Sequence, residues 1–117
     1  MARCATIFYV SKCMKKVVYV DGNAQKELNK FPEEIQDKFI ALTKKLSKKG
    51  ELDYPLGKKI SRSIFEMRLH YKGAWRGFYA YIEEDIIILH YFQKKTQSTP
   101  RKSIELAKRR LQFYLRQ

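Results

Sequence analysis

The chain has 117 residues, of which 44% are hydrophobic and 14% aromatic, and it carries 25 Lys and Arg against 12 Asp and Glu, a formal charge of +13. That length suits one domain, the apolar content excludes wholesale disorder, and no stretch approaches the ~20 consecutive apolar residues that span a bilayer. The charge is uneven: residues 58–117 hold 14 cations against five acids, three of which are the consecutive Glu83-Glu84-Asp85. A field of this sign draws polyanions and speeds their encounter, which points to a nucleic acid before a neutral ligand.

The first residues, Met1 to Val10, hold one Arg and a short apolar run without the long apolar core of a secretory signal. No export is expected, and a cytoplasmic location is. Cys4 and Cys13 are then read as free thiols rather than as a disulfide, and no neighbouring His or second Cys pair suggests zinc. Met14 opens a second natural-looking start. Residues 1–13 are therefore read either as an N-terminal extension or as part of the core, with 14–117 a single domain.

Lys16–Val20 is short and β-branched and predicts a first strand, closed by the turn or cap Asp21-Gly22-Asn23. Ala24, Leu28, Phe31, Ile35, Phe39, Leu42 and Leu46 follow at spacings of three and four, a helical stripe. Pro32 interrupts it and Glu33-Glu34 follow, which fits the first turn of a new helix. The expectation is a hairpin of two helices, roughly 23–30 and 32–48, ended by Gly50. Residues 51–57, with Pro55 and Gly57, read as a loop.

Lys58 to His70 alternates as one strand, with Phe65, Met67, Leu69 and Tyr71 on one face and Ile64, Glu66, Arg68 and His70 on the other. Lys72-Gly73 turns the chain into Trp75–Ile82. Glu83-Glu84-Asp85 turns it again into Ile86–Phe92, completing an antiparallel meander. Thr99 is a plausible cap and Pro100 the first residue of a last helix. Ile104, Ala107, Leu111 and Tyr114 line one side of it, and Lys102, Lys108, Arg109 and Arg116 the other. The fold class is α+β, ordered β-α-α-β-β-β-α, with the helical hairpin on one sheet face. The other face is expected to be open, with Arg68 and Arg76 exposed upon it.

No cofactor signature is present: no phosphate-binding glycine loop, no HExxH and no GxSxG. Glu66 stands alone on the open face, which argues against a carboxylate pair for metal-assisted hydrolysis. What remains is a set of cations and aromatics on and just beyond the strands: Lys58, Lys59, Arg68, His70, Arg76, His90, Tyr91, Phe92, Lys94 and Lys95. Several have a plainer alternative, and His70, near a turn, can simply be solvated. Arg68 and Arg76 can pair with Glu66, His90 can be a hydrogen-bonded structural histidine, Tyr91 and Phe92 can be core, and the cations of the last helix can form a wet face.

Four segments carry a resemblance. Glu66-Met67-Arg68, Trp75-Arg76-Gly77-Phe78-Tyr79, His90-Tyr91-Phe92-Gln93-Lys94-Lys95-Thr96-Gln97-Ser98-Thr99-Pro100 and Ala107-Lys108-Arg109-Arg110 resemble the phage-derived Gp49-like branch of the HigB toxins, within the RelE/ParE superfamily. The likeness runs from about Lys15 to Tyr114. It implies the toxin of a type II toxin–antitoxin pair, partnered by a HigA-like helix-turn-helix antitoxin, without a membrane partner or a cofactor. It further implies a ribosome-dependent, metal-independent endoribonuclease, in which the 2′-hydroxyl of the mRNA attacks the adjacent phosphorus. On this reading Arg68, Arg76, Lys94, Lys95 and His90 are the catalytic candidates. Lys58, Lys59, His70, Tyr91, Phe92, Arg101, Lys102 and Arg109 are the RNA-binding candidates. The rival readings are a ParE-like gyrase poison on the same fold and a non-enzymatic RNA-binding protein.

Overall fold

The computed structural model describes residues 6–9, 16–97 and 100–116. The readings of Cys4, Cys13 and Thr99 fall outside them. The elements are β1 (Thr6–Tyr9), β2 (Val18–Val20), α1 (Gly22–Asn29), α2 (Glu33–Lys49), β3 (Gly57–Lys59), β4 (Phe65–His70), β5 (Ala74–Ile82), β6 (Asp85–Lys94) and α3 (Arg101–Leu115). The strands form one mixed sheet in the order β1-β2-β6-β5-β4-β3. Only β2 and β6 run parallel; the other neighbours are antiparallel. Among the described residues no helix is long and apolar enough to cross a membrane.

The expected helical hairpin is present, and its ends follow from local chemistry. The Asp21 carboxylate accepts from the Asn23 and Ala24 backbone N–H groups and caps α1. Pro32 stands at the N-cap of α2, with Glu33 and Glu34 in the first turn where the helix dipole favours acids. Gly50 takes φ 83° at the far end and donates its N–H to Leu46 O. The apolar stripe buries Ala24, Leu28, Ile35, Phe39, Leu42 and Leu46, with Phe31 packed at the margin, against Val18, Val20, Met67, Trp75, Tyr79, Ile86, Ile88 and Tyr91. Gly77 is required here by close approach. A Cβ at that position would lie 2.9 Å from Met67 Cγ and 3.2 Å from the Tyr91 ring.

Two expectations are corrected. Lys58–His70 is not one strand. Ile60 and Ser61 both donate to Ile64 O, and the chain folds β3 back onto β4. The polar Ser61-Arg62-Ser63 stretch has no apolar residue to bury and makes the turn. Second, the sheet face away from the hairpin is only half open. Ala107 and Leu111 of α3 bury Ile64, Phe78, Ala80, Ile87 and Leu89 there, with Ile104 and Tyr114 at the edge. The apolar half of the face lies beneath α3, and the half carrying Glu66, Arg68 and His70 does not.

Candidate nucleic-acid interface

The strand register assembles the uncovered half. Arg68 of β4 stands opposite Arg76 of β5, which stands opposite Phe92 of β6. The next row toward the sheet end is His70, Ala74 and Lys94. Directly opposed residues share a face, so these side chains point the same way. A register shift at Phe78/Tyr79 makes this possible. Phe78 pairs with His90 and Tyr79 with Ile88, leaving Leu89 as the extra residue of a bulge. Strict alternation from Ile86 and Ile88, which face the helical hairpin, would have sent Lys94 to that side. The bulge reverses the parity, turning Tyr91 into the hairpin core and Lys94 onto the cationic face.

These residues line a cleft of about 630 Å³ formed by Arg68, His70, Ala74, Arg76, Lys94, Lys95, Thr96 and Gln97. Against the expectation of an exposed side chain, Arg76 lies deep in it, only 2% exposed, because strands β4 and β6 flank it and Glu66 holds its charge; its Nη1 donates to Trp75 O at 3.0 Å. Glu66 is 2% exposed and is the counter-charge to both arginines, 3.4 Å from Arg76 Nε and 3.7 Å from Arg68 Nε. One carboxylate against two guanidinium groups leaves the floor of the cleft positive. Burial, reinforced by Arg68, draws the Arg76 pKa below its ordinary value, and Glu66 works in the opposite sense. His70 and Lys95 are exposed at the rim, and Lys94 is half-buried.

Of the residues singled out in the sequence, Arg68, Arg76, His70, Lys94 and Lys95 meet in this cleft. Lys58 pairs in register with Glu66 and so shares the cleft face, one row further along. Arg101, Lys102 and Arg109 are exposed on α3.

Four of the expected residues do not line the cleft. Lys59 alternates to the other face, where its Nζ lies 5.7 Å from the Phe65 ring centroid. Tyr91 is 1% exposed and packed edge-on against Phe39, so it cannot stack on a base. Burial pushes its phenol pKa up. Phe92 is half-buried among the side chains under α3, its ring 5.1 Å from Phe78. His90 is 8% exposed and does not line the cleft; its Nδ1 is 2.9 Å from Glu27 Oε1.

The His90 contact belongs to a structural device. The β2–β6 pairing ends at Ile88. Beyond it Arg110 Nη1 donates to Leu89 O, while Glu27 Oε1 accepts from Tyr91 N–H, so two side chains replace the missing strand. Arg110 also pairs with Glu27 at 2.9 Å, which locks α1, β6 and α3 together. Burial alone would raise the Glu27 pKa; hydrogen bonds from His90 and Arg110, the His90 charge and the Tyr91 N–H together hold it below the ordinary value. The sequence carries Arg110 only within the segment Ala107-Lys108-Arg109-Arg110; its place three residues after Ala107 and four before Tyr114, on the apolar side of α3, is the signal that marks it as buried.

A further residue, in contact with the cleft-lining Arg68, carries no sequence signal. Tyr54, in the loop between α2 and β3, is 73% exposed, and the Arg68 guanidinium carbon lies 5.6 Å from its ring centroid.

The family model described as Phage derived protein Gp49-like (DUF891) matches residues 26–112. That span covers most of the chain, from the second half of α1 through α2 and the meander to Gln112 of α3, and the chain belongs to this family, a RelE/HigB-type toxin group. The family implies an antitoxin partner. No curated protein matches the chain.

Proposed function

We propose, for this member of the Gp49-like toxin family, that the cationic cleft cleaves mRNA on the ribosome. The observation carrying this reading is the convergence of Arg68, Arg76, Lys94, Lys95 and His70 on one cleft whose buried floor keeps an uncompensated positive charge. Phosphoryl transfer from a ribose needs little covalent help from a protein. It needs an in-line geometry and charge stabilisation at the phosphoryl oxygens. The 2′-oxygen attacks phosphorus, the P–O5′ bond breaks, and the products are a 2′,3′-cyclic phosphate and a 5′-hydroxyl. Arg76 and Arg68 stabilise the charge on the non-bridging oxygens. Fixed donors in a partly desolvated floor act more strongly than the same groups in water. The His70 imidazole at the rim takes the proton of the attacking 2′-hydroxyl, and Lys94 or Lys95 gives a proton to the leaving 5′-oxygen.

His90 leaves the catalytic set, because it is engaged by Glu27 and does not line the cleft. The exposed cations Arg101, Lys102 and Arg109 serve as a positioning surface for ribosomal RNA, and a HigA-like antitoxin is the partner that silences the toxin.

The test is a purified translation system programmed with a defined message, with 5′ ends mapped by primer extension. Cuts within ribosome-occupied codons, absent with Arg76→Ala, are the expected result. Trapped gyrase–DNA complexes without RNA cuts would replace this reading with a gyrase poison. Binding with neither outcome would leave a non-enzymatic RNA-binding protein.

A further inference from the structure

The cationic cleft holds groups for phosphate and sugar, and among its lining residues the His70 imidazole is the one ring, with no Phe, Tyr or Trp beside it. The sequence offered Tyr91 and Phe92 as platforms for a base; Tyr91 is buried in the hairpin-side core, and Phe92 is half-buried against the cluster under α3 and does not line the cleft. Tyr54 stands where they do not. It is one of two large apolar side chains that the described residues leave exposed. Its partner on one face is Arg68, which itself lines the cleft.

The loop that carries Tyr54 is anchored at both ends. Leu52 is buried in the hairpin-side core and Leu56 packs against it. Gly57 donates to Asp53 O at 3.0 Å, and Leu56 O accepts from Arg68 N–H at 2.8 Å. Gly57 is pressed so closely on Leu52 that an added Cβ would meet Leu52 O at 2.5 Å. The bond to Arg68 N ties the loop to the same residue whose guanidinium covers the ring. Tyr54 is thus an exposed ring on a fixed support, its position coupled to the floor of the cleft. A tyrosine orders only two side-chain torsions when it stacks, so such a ring gives contact area at small entropic cost.

We propose that Tyr54 is the base-stacking platform of the cleft, a positioning residue that receives one unstacked nucleobase of single-stranded RNA beside the phosphate held by Arg68 and Arg76. The proposal rests on the reading of the cleft as an RNA site. Stacking is tolerant of base identity, since every base has a π-face. Arg68 beneath the ring adds a cation to the stack and links base placement to phosphate contact.

The test uses the full-length chain and a short 2′-O-methyl oligoribonucleotide, which binds but lacks the attacking hydroxyl. A base-free tetrahydrofuran spacer oligomer of the same length is titrated in parallel. Tyr54→Ala is expected to weaken oligonucleotide binding about ten-fold and to leave spacer binding unchanged. Tyr54→Phe keeps both affinities, and the melting temperature is the same for all three proteins because the side chain is exposed. Equal weakening toward both probes, or toward neither, overturns the stacking role. Arg76→Ala judges the underlying reading separately, because a phosphate-holding cleft must lose affinity for both probes. If Arg76→Ala loses neither, the RNA cleft and the Tyr54 platform both fall.

Discussion

Arg68 and Arg76 face each other directly across the β4–β5 pair, and the one carboxylate between them, Glu66, is buried with Arg76. Like charges opposed across strands repel, and Glu66 offsets part of that repulsion. Glu66→Gln removes the counter-charge while keeping the shape. We expect a loss of stability of about 3 kcal/mol by chemical denaturation, the scale of breaking a buried pair on one side. Adding Arg68→Gln should return part of that loss, because the two sites are coupled. A strictly additive double variant would contradict the shared-carboxylate arrangement.

Charge-conserving exchange separates the floor of the cleft from the α3 surface. Arg76→Ala should lower ribosome-dependent cleavage on the order of 10²- to 10³-fold. Arg76→Lys should recover little of it, because a compact ammonium cannot offer two fixed donors to a phosphoryl group. Lys102→Arg and Arg109→Lys should cleave as the parent does, and removal of either charge should show mainly as a shallower salt dependence of ribosome binding. Single-turnover cleavage and a salt titration measure the two effects. Full activity of Arg76→Lys would refute a guanidinium role.

The placement of Tyr91 predicts a sharp contrast between two substitutions. Tyr91→Ala empties a core position between Phe31 and Phe39 and should cost about 3–5 kcal/mol. Tyr91→Phe keeps the ring and should leave both melting temperature and RNA cleavage near the parent values. Selective loss of cleavage in a stable Tyr91→Phe protein would return this residue to the site.

Acid should act on the clasp between α1, β6 and α3. The Glu27 pKa is held below its ordinary 4.5 in the folded chain, so the folded state favours the ionised form. The stability this contributes is fully present above 4.5, where the unfolded chain is also ionised, and is lost as pH falls through the lower folded value. Glu27→Gln should therefore be less stable than the parent at neutral pH, and the gap should close on acidification below 4.5. Melting curves across pH read this directly. A gap independent of pH would show that the clasp works by shape and not by charge.

Gly77 tests how tightly β5 lies between its neighbours. Gly77→Ala places a methyl against Met67 and the Tyr91 ring, and overpacking of this kind should cost about 1–3 kcal/mol. The Tyr91→Phe background should not relieve it, because the crowding is with ring carbons and not with the hydroxyl.

The sequence alone determined the helices and the meander, while β1 and the fold of β3 back onto β4 were not legible in it. The three- and four-residue spacing of Ala24 to Leu46, broken by Pro32, specifies two amphipathic helices, and the period-two aromatics of β4 to β6 specify a meander. These signals are local, as are the caps at Asp21 and Gly50. The cluster Arg68, Arg76, Lys94 and Lys95 was legible as chemistry because charged side chains seldom gather on strands without a partner. What covers a sheet face is not local. Only the tertiary structure decided that α3 seals the apolar half of the second face and leaves the cationic half as a cleft. The bulge at Leu89, which reverses the parity of β6, sent Lys94 to that cleft and Tyr91 to the core. One extra residue in a strand moves every later side chain to the opposite face, and composition carries no mark of it. Glu27 and Tyr54 came to their places through contacts across 63 and 14 positions of chain, to His90 and to Arg68. Such pairings are set by packing of whole elements, which no window of sequence contains.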